Sequence, residues 1–330
     1  MTAAGAQTGT ASSTGTLQRD LEVSGRPGEN MAGFMALRGW RIVEAAGCWW
    51  HGVEGRFFMS LPYHLPQDPD AGELDQMLRS QHALGARFPA VNRPGLPSGL
   101  YVCRRKDYDF PCVHARQRSQ VRRGLEMFTI RPVEQSELLR QGLQLNTDTM
   151  TRQGRYDPEF GEPARWGRLV KAVYGSPAVV AYGAFHEGRL AAYAITCRDG
   201  GWLQLMHQNS RTDDLRHFPN HALSFSIARM AAEDAALEGI SFGIHSLIDS
   251  AGLHDFKLKL GYEFIERTSA FQLHPAVAPV LLSGAVRRVV GGLRRMRPQD
   301  QRIEKVEAVL EGAARSARQE SGSAMRRITA

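Results

Sequence analysis

Alternation of apolar and polar positions divides the chain into two strand-rich stretches separated by helices. In "GWRIVEAAGCWWHGVEGRFFMSLPYH" (39–64) two strand-like runs flank a His-Gly turn region, as in a hairpin. A short helix is expected in "AGELDQMLRSQHALGA" (71–86), opened by Asp70 as a cap, then strands in "RFPAV" (87–91) and "SGLYVCRRKDYDF" (98–110). "HARQRSQVRRGLE" (114–126) reads as a basic helix, and residues 134–155 as helical for much of their length. The second stretch, 178–210, alternates as three antiparallel strands with turns at His186-Glu187-Gly188 and Asp199-Gly200-Gly201. A helix with Leu223, Ile227, Met230 and Leu237 on its apolar face follows, with Asn220 as its N-cap and Gly239 as its stop. Then come a strand in "ISFGIHSL" (240–247), a helix in "LHDFKLKLGYEF" (253–264), and a last strand in "FIERTSAFQL" (264–273).

The two stretches look like copies. "ALGARFPAV" (83–91) matches "ALEGISFGI" (236–244) with one gap, each a helix end, a glycine and a strand. The organisation expected is a disordered Gly/Ala/Ser/Thr-rich leader (1–30), a reduced first module (31–113), a fuller second module (114–275) and a helical tail (276–330). In the tail, Leu282, Val286, Val289, Val290, Leu293 and Met296 share one helical arc, and Arg287, Arg288, Arg294 and Arg295 the opposite one. Such a cationic amphipathic helix suits an anionic membrane surface over residues 281–297, or else docks its stripe on the body.

Charge changes this picture by its location. The net charge of +7 looks like a nucleic-acid footprint, but residues 284–330 hold 11 Lys+Arg against 5 Asp+Glu. The remainder is nearly neutral, which argues against a dedicated nucleic-acid binder. Four cysteines without a C-x-x-C pair read as reduced thiols, with no zinc or redox spacing, and no metal is expected. "MTAAGAQTGTASSTGT" lacks a basic n-region and an apolar h-region, and no run of about 18 apolar residues exists to span a bilayer. A cytoplasmic protein, peripheral to the membrane if the tail binds it, is the expectation.

The order strand–strand–strand, helix, strand, helix ending in Gly-aromatic, strand resembles the GNAT acyltransferase superfamily. It is carried by "RQRSQVRRGLE" before the second module, "TMTRQGR" in its first helices and "FKLKLGYEF" near its end. The likeness covers about residues 115–275, with 35–112 as a plainer copy, and such doubling resembles the FemAB group and its BioF-like acetyltransferase relatives. It implies an α/β (α+β) fold of two tandem GNAT-like modules with a mixed central sheet flanked by helices. It also implies an N-acyltransferase passing an acyl group from acyl-CoA to an amine, on a small molecule or on a lipid or cell-wall precursor. The alternative is a FemAB-type transferase drawing on aminoacyl-tRNA; from another class, a non-catalytic module of the same fold that binds a ligand or tethers a partner.

Two departures from the GNAT pattern matter. Lys257 stands where many GNAT enzymes carry a tyrosine that protonates the leaving thiolate, and "RTDDLRHFPNHAL" (211–223) replaces the glycine-rich pyrophosphate turn. Donor phosphates would then meet a helix N-terminus helped by Arg211, Arg216, His217 and Asn220. Lysine is rarely buried without a partner, so Lys257 either snorkels beside Lys259 or awaits an anion. His207 and His245 fall on strands that flank the reaction in a GNAT-like sheet, each a general base or a ring bonded to backbone. Asp249 accepts a proton or binds the acceptor amine, unless it caps the next helix. Thr149, Arg152 and Arg155 fall where GNAT proteins place acceptor-binding helices, or else form structural salt bridges. Arg116 and Arg123, seven apart on one face, suit phosphate or carboxylate capture, or form a solvated charge run with Arg118 and Arg122.

Overall fold

A computed structural model describes residues 25–53, 56–244, 251–298 and 300–328. The first half supplies β1 (Ile42–Ala45), β2 (Cys48–Val53), β3 (Phe57–Leu61), β4 (Gly85–Ala90) and β5 (Leu96–Cys103). The second supplies β6 (Thr129–Pro132), β7 (Val179–His186), β8 (Arg189–Asp199), β9 (Trp202–Ser210), β10 (Gly239–Ile244) and β11 (Glu263–Leu273). All join one mixed sheet in the order β1-β2-β3-β4-β11-β5-β10-β9-β8-β7-β6. The halves therefore exchange strands. β5 pairs with β10 of the second half, and β11 lies between β4 and β5.

Two neighbouring pairs are parallel, β3 with β4 and β9 with β10, each held over only three register positions. The matched segments 83–91 and 236–244 become β4 and β10, the second strand of each parallel pair, so the internal repeat holds in three dimensions.

Helices cover both faces. α2 (Ala71–Ser80), α3 (Ala115–Met127), α8 (Pro219–Glu233) and α9 (Ala251–Lys259) lie on one. The other carries α1 (Glu29–Leu37), α4 (Gln135–Glu137) running through a π-helical turn (Leu138–Gly142) into α5 (Leu143–Arg152), α6 (Pro158–Gly161) and α7 (Pro163–Gly175). Asp70 caps α2 as expected, accepting from the Glu73 N–H at 2.9 Å. The turns at 186–188 and 199–201 also hold, with Glu187, Gly188, Gly200 and Gly201 at positive φ. Asn220 and Gly239 do not bound α8. The helix starts at Pro219, whose fixed φ suits a first position, and ends at Glu233, while Gly239 opens β10. Order also begins earlier than the hairpin: α1 is capped from afar by buried Asp199, which accepts from the N–H groups of Gly28 (2.6 Å) and Met31 (2.9 Å).

The tail forms α10 (Ala278–Leu281), α11 (Gly284–Met296) and α12 (Gln301–Ile328). α12 docks on β11. Its Leu310, Ala313 and Ala314 are buried, and Ser316 Oγ accepts from the Phe271 N–H and donates to the Pro94 carbonyl. α11 does not bury its stripe: Val289 is 62% and Met296 80% exposed, and Arg294 ties the helix to Glu304 at 3.2 Å.

Candidate functional site

β9 and β10 pair at Gly239–Trp202, Ile240–Leu203 and Ser241–Gln204, then part. Beyond that point β9 carries a bulge. Thr196 faces Leu205 and Ile195 faces His207, so Met206 has no opposite residue. A bulge interrupts the ladder and re-aims side chains beside the gap. β10 keeps its bond to β5 on the other side, with its own irregularity between Ser241 and Ile244 and Gly243 at φ 75°.

Lys257 stands beside this parting, in the last turn of α9, where the helix dipole favours a cation. It does not snorkel: the residue is 4% exposed. Its Nζ donates to the Phe242 carbonyl at 3.1 Å, one residue past the last β9–β10 pair, and lies 4.1 Å from the Tyr101 ring centroid and 4.5 Å from that of Phe242. No carboxylate lies within ion-pair distance among the described residues. Burial lowers its pKa from 10.5 to about 8. Two aromatic faces and one carbonyl partly offset that desolvation, and a negative charge arriving at Nζ would complete it. Lys259, by contrast, is a surface residue paired with Asp255 at 2.7 Å. The position is held by Gly261, which stops α9 at φ 88° and lies so close to Cys112 that a Cβ would meet its carbonyl oxygen at 2.6 Å.

The opposite face of the parting holds a second polar cluster. Gln204 Nε2 lies 2.7 Å from His64 Nδ1, and the His64 ring stacks on Trp202 at 5.0 Å. His64 is 5% and Gln204 2% exposed, yet His64 Nε2 and Gln204 Oε1 have no hydrogen-bond partner among the described residues. Whichever way the amide is turned, one buried donor and one buried acceptor stay unsatisfied. Burial, with the charge of Arg104, lowers the His64 pKa to about 3, so the ring is neutral.

His207 does lie on β9, but its ring packs on Phe160 at 4.8 Å, on the face away from α8 and α9. Burial, then the charges of Arg38 and Arg155, push its pKa well below 6.5, which makes it a weak base. His207 and Lys257 are thus not brought together on one face. His245 and Asp249 lie outside the described residues.

The head of α8 gathers some expected residues and releases others. Arg211 is committed to the body, donating to the Leu190 carbonyl (2.9 Å) and Gln144 (3.1 Å). Asn220 is committed likewise, to Ser210 (3.0 Å) and Gln208 (3.1 Å). Arg216 and His217 contact each other at 3.0 Å on the surface, and Arg123 of α3 lies over the ring of Phe218, the residue that caps α8. Arg116 is exposed elsewhere on α3. Thr149 and Arg152 are both tied to β9. Thr149 Oγ1 donates to the Ser210 carbonyl at 2.9 Å and Arg152 to the same carbonyl at 3.2 Å, clamping α5 to β9. Arg155 lines a shallow surface cavity of about 480 Å³ with Met150, Tyr156 and Gly161.

A larger cleft, about 920 Å³, lies not between β9 and β10 but along the edge of β5. Its wall includes Phe264, whose ring packs on Tyr101 (5.0 Å) and His254 (5.4 Å), and the Tyr101 hydroxyl is 2.7 Å from His254 Nδ1. The cleft is thus one aromatic layer from Lys257. Tyr101, His254, His64 and Gln204 went unread in sequence, because single polar residues inside strands and loops carry no spacing signal. Among the described residues no three His, Cys, Asp or Glu side chains converge as a metal site.

No protein-family model matches the chain, and no curated protein matches it. Its fold is similar to that of FemX, with a TM-score of 0.55 and 12% identity, covering 76% of this chain and 93% of that one. It is also similar to the C-terminal (DUF2156) domain of a putative lysylphosphatidylglycerol synthetase from Agrobacterium fabrum, at TM-score 0.51 and 13% identity, covering 76% of this chain and 89% of that one. At such identity the likeness is one of fold. The architecture is the fold of those two structures, a mixed sheet flanked by helices and built from two similar halves.

Proposed function

We propose that the protein is an N-acyltransferase that moves an acyl group from acyl-CoA to an amine. The observation that carries this reading is Lys257, a buried ammonium without a carboxylate partner among the described residues, placed where two parallel strands part. In such a transfer the amine attacks the thioester carbonyl, and the thiolate leaves with the C–S electron pair. A cation fixed in a water-poor site stabilises that developing charge far better than water does. With a pKa of about 8, Lys257 stays charged at neutral pH yet gives up its proton more readily than a free lysine. Arg216, His217 and Arg123 at the head of α8 are the groups left to meet donor phosphates, helped by the helix dipole.

A second reading shares the site: aminoacyl transfer from tRNA, with Lys257 facing a ribose alkoxide instead of a thiolate. The fold likeness to FemX and to the C-terminal domain of a putative lysylphosphatidylglycerol synthetase favours it. A binding module without catalysis would use Lys257 to hold an anionic ligand and would show no transfer.

The acceptor in the first reading is an amine, in the second a cell-wall precursor or lipid, and α11 suits either at a membrane. Its exposed Val289, Leu293 and Met296 beside Arg287, Arg288 and Arg295 fit an anionic bilayer surface, with residues 281–297 in contact. Flotation with phosphatidylglycerol vesicles should be lost in Leu293→Glu/Met296→Glu at unchanged melting temperature. Equal flotation of both proteins would remove the membrane from this reading.

Thermal shift with acetyl-CoA, longer acyl-CoAs and aminoacyl-tRNA in parallel separates the donors. Stabilisation by a CoA ester, followed by transfer to an amine panel, supports the first reading. Stabilisation by charged tRNA alone supports the second, and none by either ends both.

A further inference from the structure

The central strands hold two arginines that the fold leaves without counter-ions. On β4, Arg87 Nε donates to Ser269 Oγ at 2.9 Å, while its Nη2 is buried without a partner. Burial lowers its pKa to about 10. On β11, two residues along the same face from Ser269, Arg267 donates from Nη1 to the Glu266 carbonyl, and its Nε is buried without a partner. Directly across from Arg267 on β5 is Ser98, 9% exposed, whose Oγ also lacks a partner. Neither arginine meets a carboxylate among the described residues.

Arg267 and Ser98, though not Arg87, border the 920 Å³ cleft, whose wall also includes Arg315, Glu266 and Phe264. The cleft exists for a topological reason. β10 pairs β5 only as far as Leu100, so residues 96–99 have a strand neighbour on the β11 side alone among the described residues. In the second half α9 follows β10 and covers β5; after β4 the chain instead runs directly into β5 through residues 91–95, without a helix.

We propose that this cleft binds an oxyanion, the carboxylate or phosphate of the acceptor, through Arg267 and Ser98, with Arg87 behind them. The inference rests on the acyl-transfer reading in one respect only, that the bound molecule is the acceptor. It makes the substrate class an anionic amine: the anion sits at Arg267, and the amine reaches past Phe264 toward Lys257. Arg315 adds charge at the rim, although it already pairs with Glu311.

Isothermal titration of the full chain with inorganic phosphate and, separately, with succinate tests the site without assuming catalysis. Saturable binding of one of them, weakened at least tenfold in Arg267→Gln, also weakened in Ser98→Ala and restored in Arg267→Lys, is the expected result; which probe binds tells phosphate from carboxylate. Lys257→Met should bind the same probe unchanged. In transfer assays Arg267→Gln should raise KM for phosphoethanolamine or an amino acid at least tenfold and leave KM for ethanolamine within twofold. No binding of either probe, or equal binding by Arg267→Gln with a native circular-dichroism spectrum, overturns the site. Binding without any transfer overturns only the acceptor assignment.

Discussion

The two halves of the sheet start from the same plan and end differently. In the first, β3 and β4 part after Met59–Arg87, and the face beyond is filled. Trp50, Phe58 and Phe88 pack there with Leu74, Met77 and Leu78 of α2, and the Trp50 and Phe88 rings meet edge to face at 6.0 Å. In the second, β9 and β10 part after Gln204–Ser241, and what gathers at the parting is a bulged strand, a buried lysine and an unsatisfied His64–Gln204 pair. On its α2 face the first copy is closed by packing, whereas the second parting leaves polar groups that a ligand can satisfy, which is where function is expected to sit.

Variants that exchange the roles of the halves break this contrast, and the largest effect belongs to the packed one. Phe88→Ala should destabilise the protein by about 3–5 kcal/mol, as large aromatic truncations in closed cores do, with turnover per folded molecule unchanged; chemical denaturation beside a rate assay checks both. Lys257→Met should do the reverse. Transfer should fall about 10²–10³-fold, while the melting temperature holds or rises because a desolvated charge is gone. A variant that melts earlier with its rate intact would put Lys257 among the packing residues.

Gly99→Ala sharpens the boundary between halves. A Cβ there would meet the Phe264 ring at 2.1 Å, so Phe264 must move off Tyr101. About 1–3 kcal/mol of overpacking follows, and the aromatic support of Lys257 shifts with it, so stability and rate should fall together. A rate unaffected by the move would detach the cleft wall from the lysine.

The smallest effect is one of pH. Burial holds His51, His64 and His221 neutral, with pKa values of about 4, 3 and 4. Unfolded, each titrates near 6.5, so between pH 6.5 and 4 the unfolded chain binds more protons and stability falls as pH falls. The slope is at most about 1.4 kcal/mol per pH unit for each histidine. Two of the three lie in the first half, so His51→Gln/His64→Gln should flatten the acid limb of the melting temperature more than His221→Gln does.

Much of the fold was legible in sequence. Alternation and turn residues located β7, β8 and β9, and the match of 83–91 to 236–244 identified the two second strands of the parallel pairs. Lys257 was legible because lysine inside an apolar helix face is a costly choice. The strand exchange was not, since pairing of β5 with β10 and of β11 with β4 links residues more than 130 positions apart and leaves no local trace. Thr149 and Arg152 stayed open between acceptor binding and a structural role, because polar residues on a helix look alike in sequence whether they meet solvent, substrate or a carbonyl such as that of Ser210. Arg87 and Arg267 read as ordinary strand residues; only the cross-strand register sets them on one face without an acid.

The central claim is that Lys257 is kept buried and unpaired to meet a negative charge from the donor. Titration of its side chain by NMR of ¹³Cε-labelled lysine, with Lys257→Met for assignment and with and without coenzyme A, tests this most directly. The account predicts a pKa near 8 in the free protein that rises when the thiol is bound. A value near the ordinary 10.5 that coenzyme A and deacylated tRNA both leave unmoved would contradict it.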